Sequence, residues 1–206
     1  MRLEAEHKYM LTVHEYLCLM EALEKTACWF NRKMHINYYF DTEDFKLHKS
    51  NESLRIRNSN NVYTITYKAA PMGKSSSNYL ERNEYEAPID SNTAERMILN
   101  DSRALKLLPV LSGIDNIELK CIGQSSTERT EFYILSSPIL LDKTNYLGVT
   151  DFELEYEIQD GTDDSYALIQ LLDHYNIHAS LNAVSKSKRF FMRLSDLNMS
   201  THKVSD

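Results

Sequence analysis

Residues 3–9 read Leu3-Glu4-Ala5-Glu6-His7-Lys8-Tyr9. In an extended chain alternate residues point the same way, so Glu4, Glu6 and Lys8 share one face. Leu3, Ala5, His7 and Tyr9 share the other. The same charge spacing recurs in Arg55-Ile56-Arg57, Arg82-Asn83-Glu84-Tyr85-Glu86 and Glu153-Leu154-Glu155-Tyr156-Glu157. Each places charges at i, i+2 or i, i+2, i+4 with apolar or aromatic residues often between. These segments read as strands of one closed sheet whose charged faces point inward, at a polyanion and its metal ions.

Composition bounds this reading. The chain has 206 residues, 42% hydrophobic and 26% charged, which is ordinary globular material for one large domain. Thirteen Tyr and seven Phe favour strands, and only 5 Gly and 4 Pro argue against long linkers. The net charge of −7 disfavours a nucleic-acid-coating protein or a basic membrane-surface binder, but a cleft can still focus the opposite sign locally. Cys18, Cys28 and Cys121 are odd in number and lack C-x-x-C spacing, which argues against a disulfide framework and a zinc site. With no signal-like start and no apolar run of membrane length, the expectation is a cytoplasmic protein with no membrane and no nucleic-acid partner, monomeric or homodimeric.

Along the chain, Thr12 is positioned to cap a helix running to about Phe30, with Glu15 completing a capping box and a stripe of Tyr16, Leu17, Leu19, Met20, Leu23 and Ala27. Strands are expected at His35–Thr42, Ser53–Asn58, Val62–Lys68 after an Asn60-Asn61 turn, and Tyr79–Ala87, where Pro88 is expected to end the strand. Ala69 to Asn78 reads as a loop. A second helix is expected from Ser91 or Asn92 through Leu107. Further strands are expected at Asn116–Cys121, Glu128–Leu135, Ile139–Asp142 and Asp151–Gln159, with a turn at Gly123-Gln124-Ser125-Ser126. Helices from Asp163 or Asp164 to Tyr175 and from Asn182 through Leu197 complete the chain. Residues 1–198 form a single domain in this reading and 199–206 a polar tail. The fold class is α+β: an antiparallel β-barrel with helices packed outside.

A half-buried sheet normally turns its polar face to water. Here the acids fall in adjacent same-face pairs, which repel without a cation between them. Carboxylate oxygens suit Mg²⁺ or Mn²⁺, and arginine offers planar paired donors to phosphate. Glu4 and Glu6 lie roughly 7 Å apart along a strand. They can reach one ion, or two ions about 3.5–4 Å apart. Gly73-Lys74-Ser75 lacks the earlier glycine of a P-loop, and no zinc-peptidase or serine-hydrolase motif occurs.

Glu4-x-Glu6-x-Lys8 resembles the ExExK signature of the CYTH superfamily, the triphosphate tunnel metalloenzymes, most closely the bacterial proteins of the Firmicutes type. Similar stretches follow in order: Tyr39-Phe40-Asp41-Thr42, Leu54-Arg55-Ile56-Arg57, Thr64 to Lys68, Arg82-x-Glu84-x-Glu86, Arg129, Leu141-Asp142, Glu153-Leu154-Glu155-x-Glu157, and Ser185-Lys186-x-x-Arg189-Phe190. The resemblance implies an eight-stranded barrel binding a triphosphate group with Mg²⁺ or Mn²⁺. It implies Glu4, Glu6, Glu153, Glu155 and Glu157 as candidate metal ligands. It implies Lys8, Arg55, Arg57, Lys68, Arg82, Arg129 and Lys186 as phosphate-binding residues, and Glu84 and Glu86 as metal or water-orienting acids. His7 and Tyr67 carry no role. The expected activity is metal-dependent hydrolysis of a small-molecule triphosphate, inorganic tripolyphosphate first, with thiamine or nucleoside triphosphate as alternatives. Cyclisation of ATP and non-catalytic polyphosphate binding are the competing readings.

Overall fold

The computed structural model describes residues 2–27, 29–69, 80–100, 118–133, 138–158, 165–181 and 184–202. Nine strands form one sheet in the order β5-β4-β3-β2-β6-β7-β8-β1-β9, and β5 also pairs with β1. The strands are β1 (Arg2–Leu11), β2 (Phe30–Asp41), β3 (Ser53–Ser59), β4 (Val62–Ala69), β5 (Leu80–Ile89), β6 (Lys120–Phe132), β7 (Ile139–Tyr146), β8 (Val149–Glu157) and β9 (Ser180–Leu181). All pairings are antiparallel, and eight strands close the barrel. On β1, Glu6 pairs with both Leu80 and Glu157, so β5 and β8 lie on opposite edges. Short β9 takes over the β5 edge at Tyr9 and Met10.

Two of the three apolar clusters lie outside the barrel wall, and the third, around Tyr39 and Phe190, lies on its inner face. Helices α1 (Val13–Thr26) and α4 (Ser165–His174) bury Leu19, Leu23, Leu168 and Leu172 against outward-facing Leu141, Leu154 and Tyr156. The four-residue helix α2 (Lys46–Lys49) and α3 (Ser91–Ile98) cover Phe40, Leu54, Ile56 and Ile65 with Leu47, Ala94 and Met97. Helix α5 (Lys186–His202) seats Phe190 and Phe191 against Tyr39 and Tyr146. Because side chains alternate, the outward apolar residues under α1 to α4 force the charged residues of the same strands inward. No helix among the described residues is long and apolar enough to cross a membrane.

Several local expectations hold. Thr12 and Glu15 form the capping box of α1, and Asn60 and Asn61 both take positive φ in the β3–β4 turn. Others are corrected. Helix α1 ends at Thr26, and Phe30 already belongs to β2, whose pairing with β6 extends to Phe30↔Phe132. Leu17, placed on the apolar stripe, is 58% exposed. Pro88 does not end β5. It pairs opposite Thr64 beyond the last β1 contact at Glu84, on an edge where no ladder needs its missing N–H.

Residues Gly123 to Ser126 are not a turn either. They continue β6 through a register shift opposite Tyr39 and Phe40, and Gly123 lets the Phe190 ring approach the strand. Helix α3 starts at Ser91 as expected, capped by Asp90 through Thr93 N–H, while α5 runs past Leu197 to His202. The expected loop from residue 70, the second helix beyond 100 and the Gly73-Lys74-Ser75 stretch fall outside the described residues.

Candidate active site

Inside the barrel lies a cavity of about 210 Å³. Its acids are Glu4, Glu6, Glu84, Glu86, Glu155 and Glu157; its bases are Lys8, Arg55, Arg57, Lys68, Arg82, Arg129 and Lys186. Six carboxylates against seven cations make the lining slightly positive in a chain whose net charge is −7. Cross-strand register brings these groups together. Lys8 lies opposite Glu155, Glu4 opposite Arg82, Lys68 opposite Glu84, and Arg129 opposite Asp142. Directly opposed residues of an antiparallel pair emerge on the same face.

One group of pairs is closely neutralised. Lys8 Nζ sits 2.7 Å from Glu155 Oε1 and 3.0 Å from Glu6 Oε1. Arg129 donates from Nε to Asp142 Oδ1 at 2.8 Å and from Nη2 to Asp142 Oδ2 at 2.6 Å, and it also contacts Glu155. Lys186, at the start of α5, reaches Asp142 at 2.8 Å and Glu155 at 2.6 Å and contacts Glu153. Burial opposes ionisation of Glu155, but Lys8 and Arg129 outweigh it and hold this carboxyl well below the usual range. Lys68 bridges Glu84 at 2.7 Å and Glu4, and it holds Glu4 low in the same way against burial.

Two other groups are crowded by their own sign. Burial, with Glu155 next, pushes the Glu6 carboxyl up despite Lys8. Burial, then Arg55 and Arg129, pulls Arg57 down to about 9. Arg55 Nε and Arg82 Nε are buried and have no hydrogen-bond partner among the described residues. The site therefore holds a carboxylate that a cation would relieve, beside guanidinium groups that an anion would relieve.

Thirteen of the fourteen residues expected at the site line this cavity; Glu153 does not. It is 0% exposed and shares the inward face of Glu155, but it is covered by Arg189 and Lys186, with its Oε1 3.9 Å from Lys8 Nζ. Glu86 lies at the exposed rim, where Thr66 Oγ1 donates to it at 3.2 Å. Sequence reasoning gave no role to Asp142, which is 0% exposed and anchors both Arg129 and Lys186. It also passed over Arg189, which ties α5 to Asp151 at 2.7 Å. Lys186 and Arg189 are i and i+3 on one helix face, a signal present in the sequence. Asp142 appeared only within the Leu141-Asp142 stretch of the resemblance, without a role, because its partners lie on other strands and on α5.

The donors suit a hard divalent cation. Only carboxylates occur among the acids, and Asp142, Glu153 and Glu155 offer oxygens within 4.8 Å of one another. That trio is already met by Lys186, Arg129 and Arg189. Glu6, crowded by Glu155 and Glu4, is the carboxylate with most to gain from a further positive charge.

Against known proteins, the family model described as "CYTH domain" matches residues 2–191. A Bacillus subtilis (strain 168) protein named "Putative triphosphatase YjbK" is 28% identical over 175 residues, covering 85% of this chain and 87% of that protein. The crystal structure of a Bacillus halodurans protein, described as a "putative adenylate cyclase", is 27% identical with a TM-score of 0.72, covering 93% of this chain and all of the other. The Hippeastrum protein HpAC1, described as having "a dominant triphophatase activity", shares the fold at 23% identity and a TM-score of 0.79. That match covers 92% of this chain and 95% of the other.

Proposed function

This chain belongs to the CYTH domain family, and from that premise we propose that it is a metal-dependent triphosphatase acting on inorganic tripolyphosphate. The observation that carries the reading is the charge arrangement of the cavity. Arg57, crowded by Arg55 and Arg129, lines the same barrel cavity as Glu6, crowded by Glu155 and Glu4. A polyphosphate bearing divalent cations relieves both. The name of the Bacillus subtilis relative points the same way.

The preference for an inorganic substrate rests on the lining. Tyr39 is the only aromatic residue at the cavity among the described residues. Its hydroxyl lies 3.2 Å from Ser125 Oγ and its ring packs on Phe190, so it offers no open face for a base.

In this reading Arg55, Arg57 and Arg82 hold phosphate oxygens, with Lys8, Lys68, Arg129 and Lys186 completing the positive wall. Glu4, Glu6, Glu155 and Glu157 would hold Mg²⁺ or Mn²⁺; when bound, the metal neutralises phosphate charge and lowers the pKa of water. Glu84 and Glu86, at the β4–β5 side, orient the attacking water. Water attacks the terminal phosphorus, the bond to the bridging oxygen breaks, and diphosphate leaves. The fixed cations stabilise charge on the transferred and leaving groups without reorganising.

The test is phosphate release from tripolyphosphate, thiamine triphosphate and ATP with Mg²⁺ and with Mn²⁺. Release from tripolyphosphate that disappears in Glu4→Gln and Glu6→Gln supports the proposal. Intact substrates in every combination overturn it. Cyclic AMP formed from ATP would favour cyclisation, the reading suggested by the name of the Bacillus halodurans protein. Tight binding without turnover would leave a binding module.

A further inference from the structure

We infer that Asn37 and Asn51 are positioning residues that hold two cavity arginines through uncharged oxygens, leaving their positive charge to the bound anion. This rests on the triphosphate reading above. Arg57 Nε donates to Asn37 Oδ1 at 3.0 Å, from the strand position directly opposite it. Arg82 donates from Nη1 to the Asn51 main-chain oxygen at 3.0 Å and from Nη2 to Asn51 Oδ1 at 3.2 Å. The contrast is Arg129, whose fork is closed by the carboxylates of Asp142 and Glu155. A carboxylate fixes a guanidinium and cancels its charge. An asparagine of the same shape fixes it and cancels nothing.

Both anchors are themselves held. Asn37 is 1% exposed within β2. Asn51 follows α2 with φ 58, a left-handed conformation that asparagine tolerates better than most residues, and its N–H donates to His48 O at 3.0 Å. Helix α2 is pinned in turn by the buried Asp41 carboxylate, which accepts from Leu47 N and His48 N at 2.9 Å each. Phe45 and His48, from the same segment, pack on Phe191 of α5. One short segment thus sets the position of Arg82 on β5 and braces the helix that carries Lys186.

A purely structural role makes a different forecast. If the asparagines only satisfied buried N–H groups, aspartate would do so at least as well, with a stronger bond. Under the inference, aspartate spends the arginine's charge inside the protein. The experiment is calorimetric titration of tripolyphosphate, without divalent metal, into the full chain and its Asn37→Asp, Asn51→Asp and Asn51→Gly variants, with melting temperatures alongside. Each aspartate variant is expected to bind at least about tenfold more weakly while melting no lower than the parent. Asn51→Gly keeps the main-chain oxygen and the backbone angle, and is expected to lose only a few-fold.

In the metal-supported reaction, KM is expected to rise more than kcat falls. Folded aspartate variants that bind like the parent would overturn the inference, as would an affinity loss that merely tracks a falling melting temperature. If buried Asn37→Asp does not fold, Asn51→Asp in its exposed turn carries the test. A parent protein that binds no tripolyphosphate without metal and leaves it intact with Mg²⁺ and Mn²⁺ would instead overturn the functional proposal.

Discussion

A single carbon added at Gly123 would lie 2.9 Å from Cζ of Phe190. The strand and helix α5 meet there without room for a side chain. Phe190 is three residues beyond Ser187 on the helix whose first residue, Lys186, enters the cavity. Gly123→Ala is therefore expected to push α5 off its seat, costing about 1–3 kcal/mol. Thermal melting reads the stability, and kcat/KM for tripolyphosphate should fall further than stability alone explains because Lys186 moves with the helix.

Glu6→Gln is expected to abolish turnover and stabilise the fold. Burial, Glu155 and Glu4 together favour the neutral form of this carboxyl more strongly than Lys8 opposes it. A neutral isostere removes that cost, and Lys8 keeps Glu155 at 2.7 Å. The gain is expected as a raised melting temperature in metal-free buffer, with phosphate release down by at least about 100-fold. A melting temperature that drops would contradict the assignment of Glu6 as the crowded acid.

The same group sets a pH dependence for metal binding. Its carboxyl is raised above the ordinary glutamate value of 4.5 in the metal-free protein. Metal binds the deprotonated form, so affinity for Mn²⁺ should climb as pH rises through that raised value and level off above it, with protons released on binding. Titration calorimetry in buffers of different ionisation enthalpy measures those protons. Glu6→Gln should remove this portion of the release.

His35 supplies a stability signature. Burial, then Arg57 and Arg129, pulls its pKa down to about 3 from 6.5, so the folded protein keeps it neutral. Between those values the unfolded chain binds the extra proton, and stability falls as pH drops from about 6.5 toward about 3. The slope contributed by this one site is at most about 1.4 kcal/mol per pH unit. Denaturant midpoints across that range, compared with His35→Asn, isolate it; a slope unchanged in the variant would refute the assignment.

Tripolyphosphate should also stabilise the protein by mass action. At a hundredfold excess over its dissociation constant the shift is about 2.7 kcal/mol, and it should shrink with added salt as the arginine contacts are screened.

How far the sequence could be read depended on the range of the interaction. Alternation within a strand is local, so Arg55 and Arg57, or Glu155 and Glu157, announced their shared face without any knowledge of neighbours. The capping box at Thr12 and Glu15 was equally local. By contrast, Gly123 to Ser126 looked like a turn because small polar residues usually make one. Only the ladder with β2 and the ring of Phe190 account for their place in a strand. Pro88 misled for the same reason, since whether proline breaks a strand depends on which edge is unpaired.

The amino-acid order alone carried the barrel class and the inward direction of the strand charges, because a period of two assigns faces before any partner is chosen; Arg129 and Lys186 came from the family resemblance. Tertiary structure decided which charges cancel and which do not. Glu153 is covered by Lys186 and Arg189, Asp142 fastens Arg129 and Lys186, and Arg57 and Arg82 rest on asparagines. Those outcomes follow from strand register and from the seating of α5, which place side chains far apart in sequence within a few ångströms in a medium where water no longer screens them.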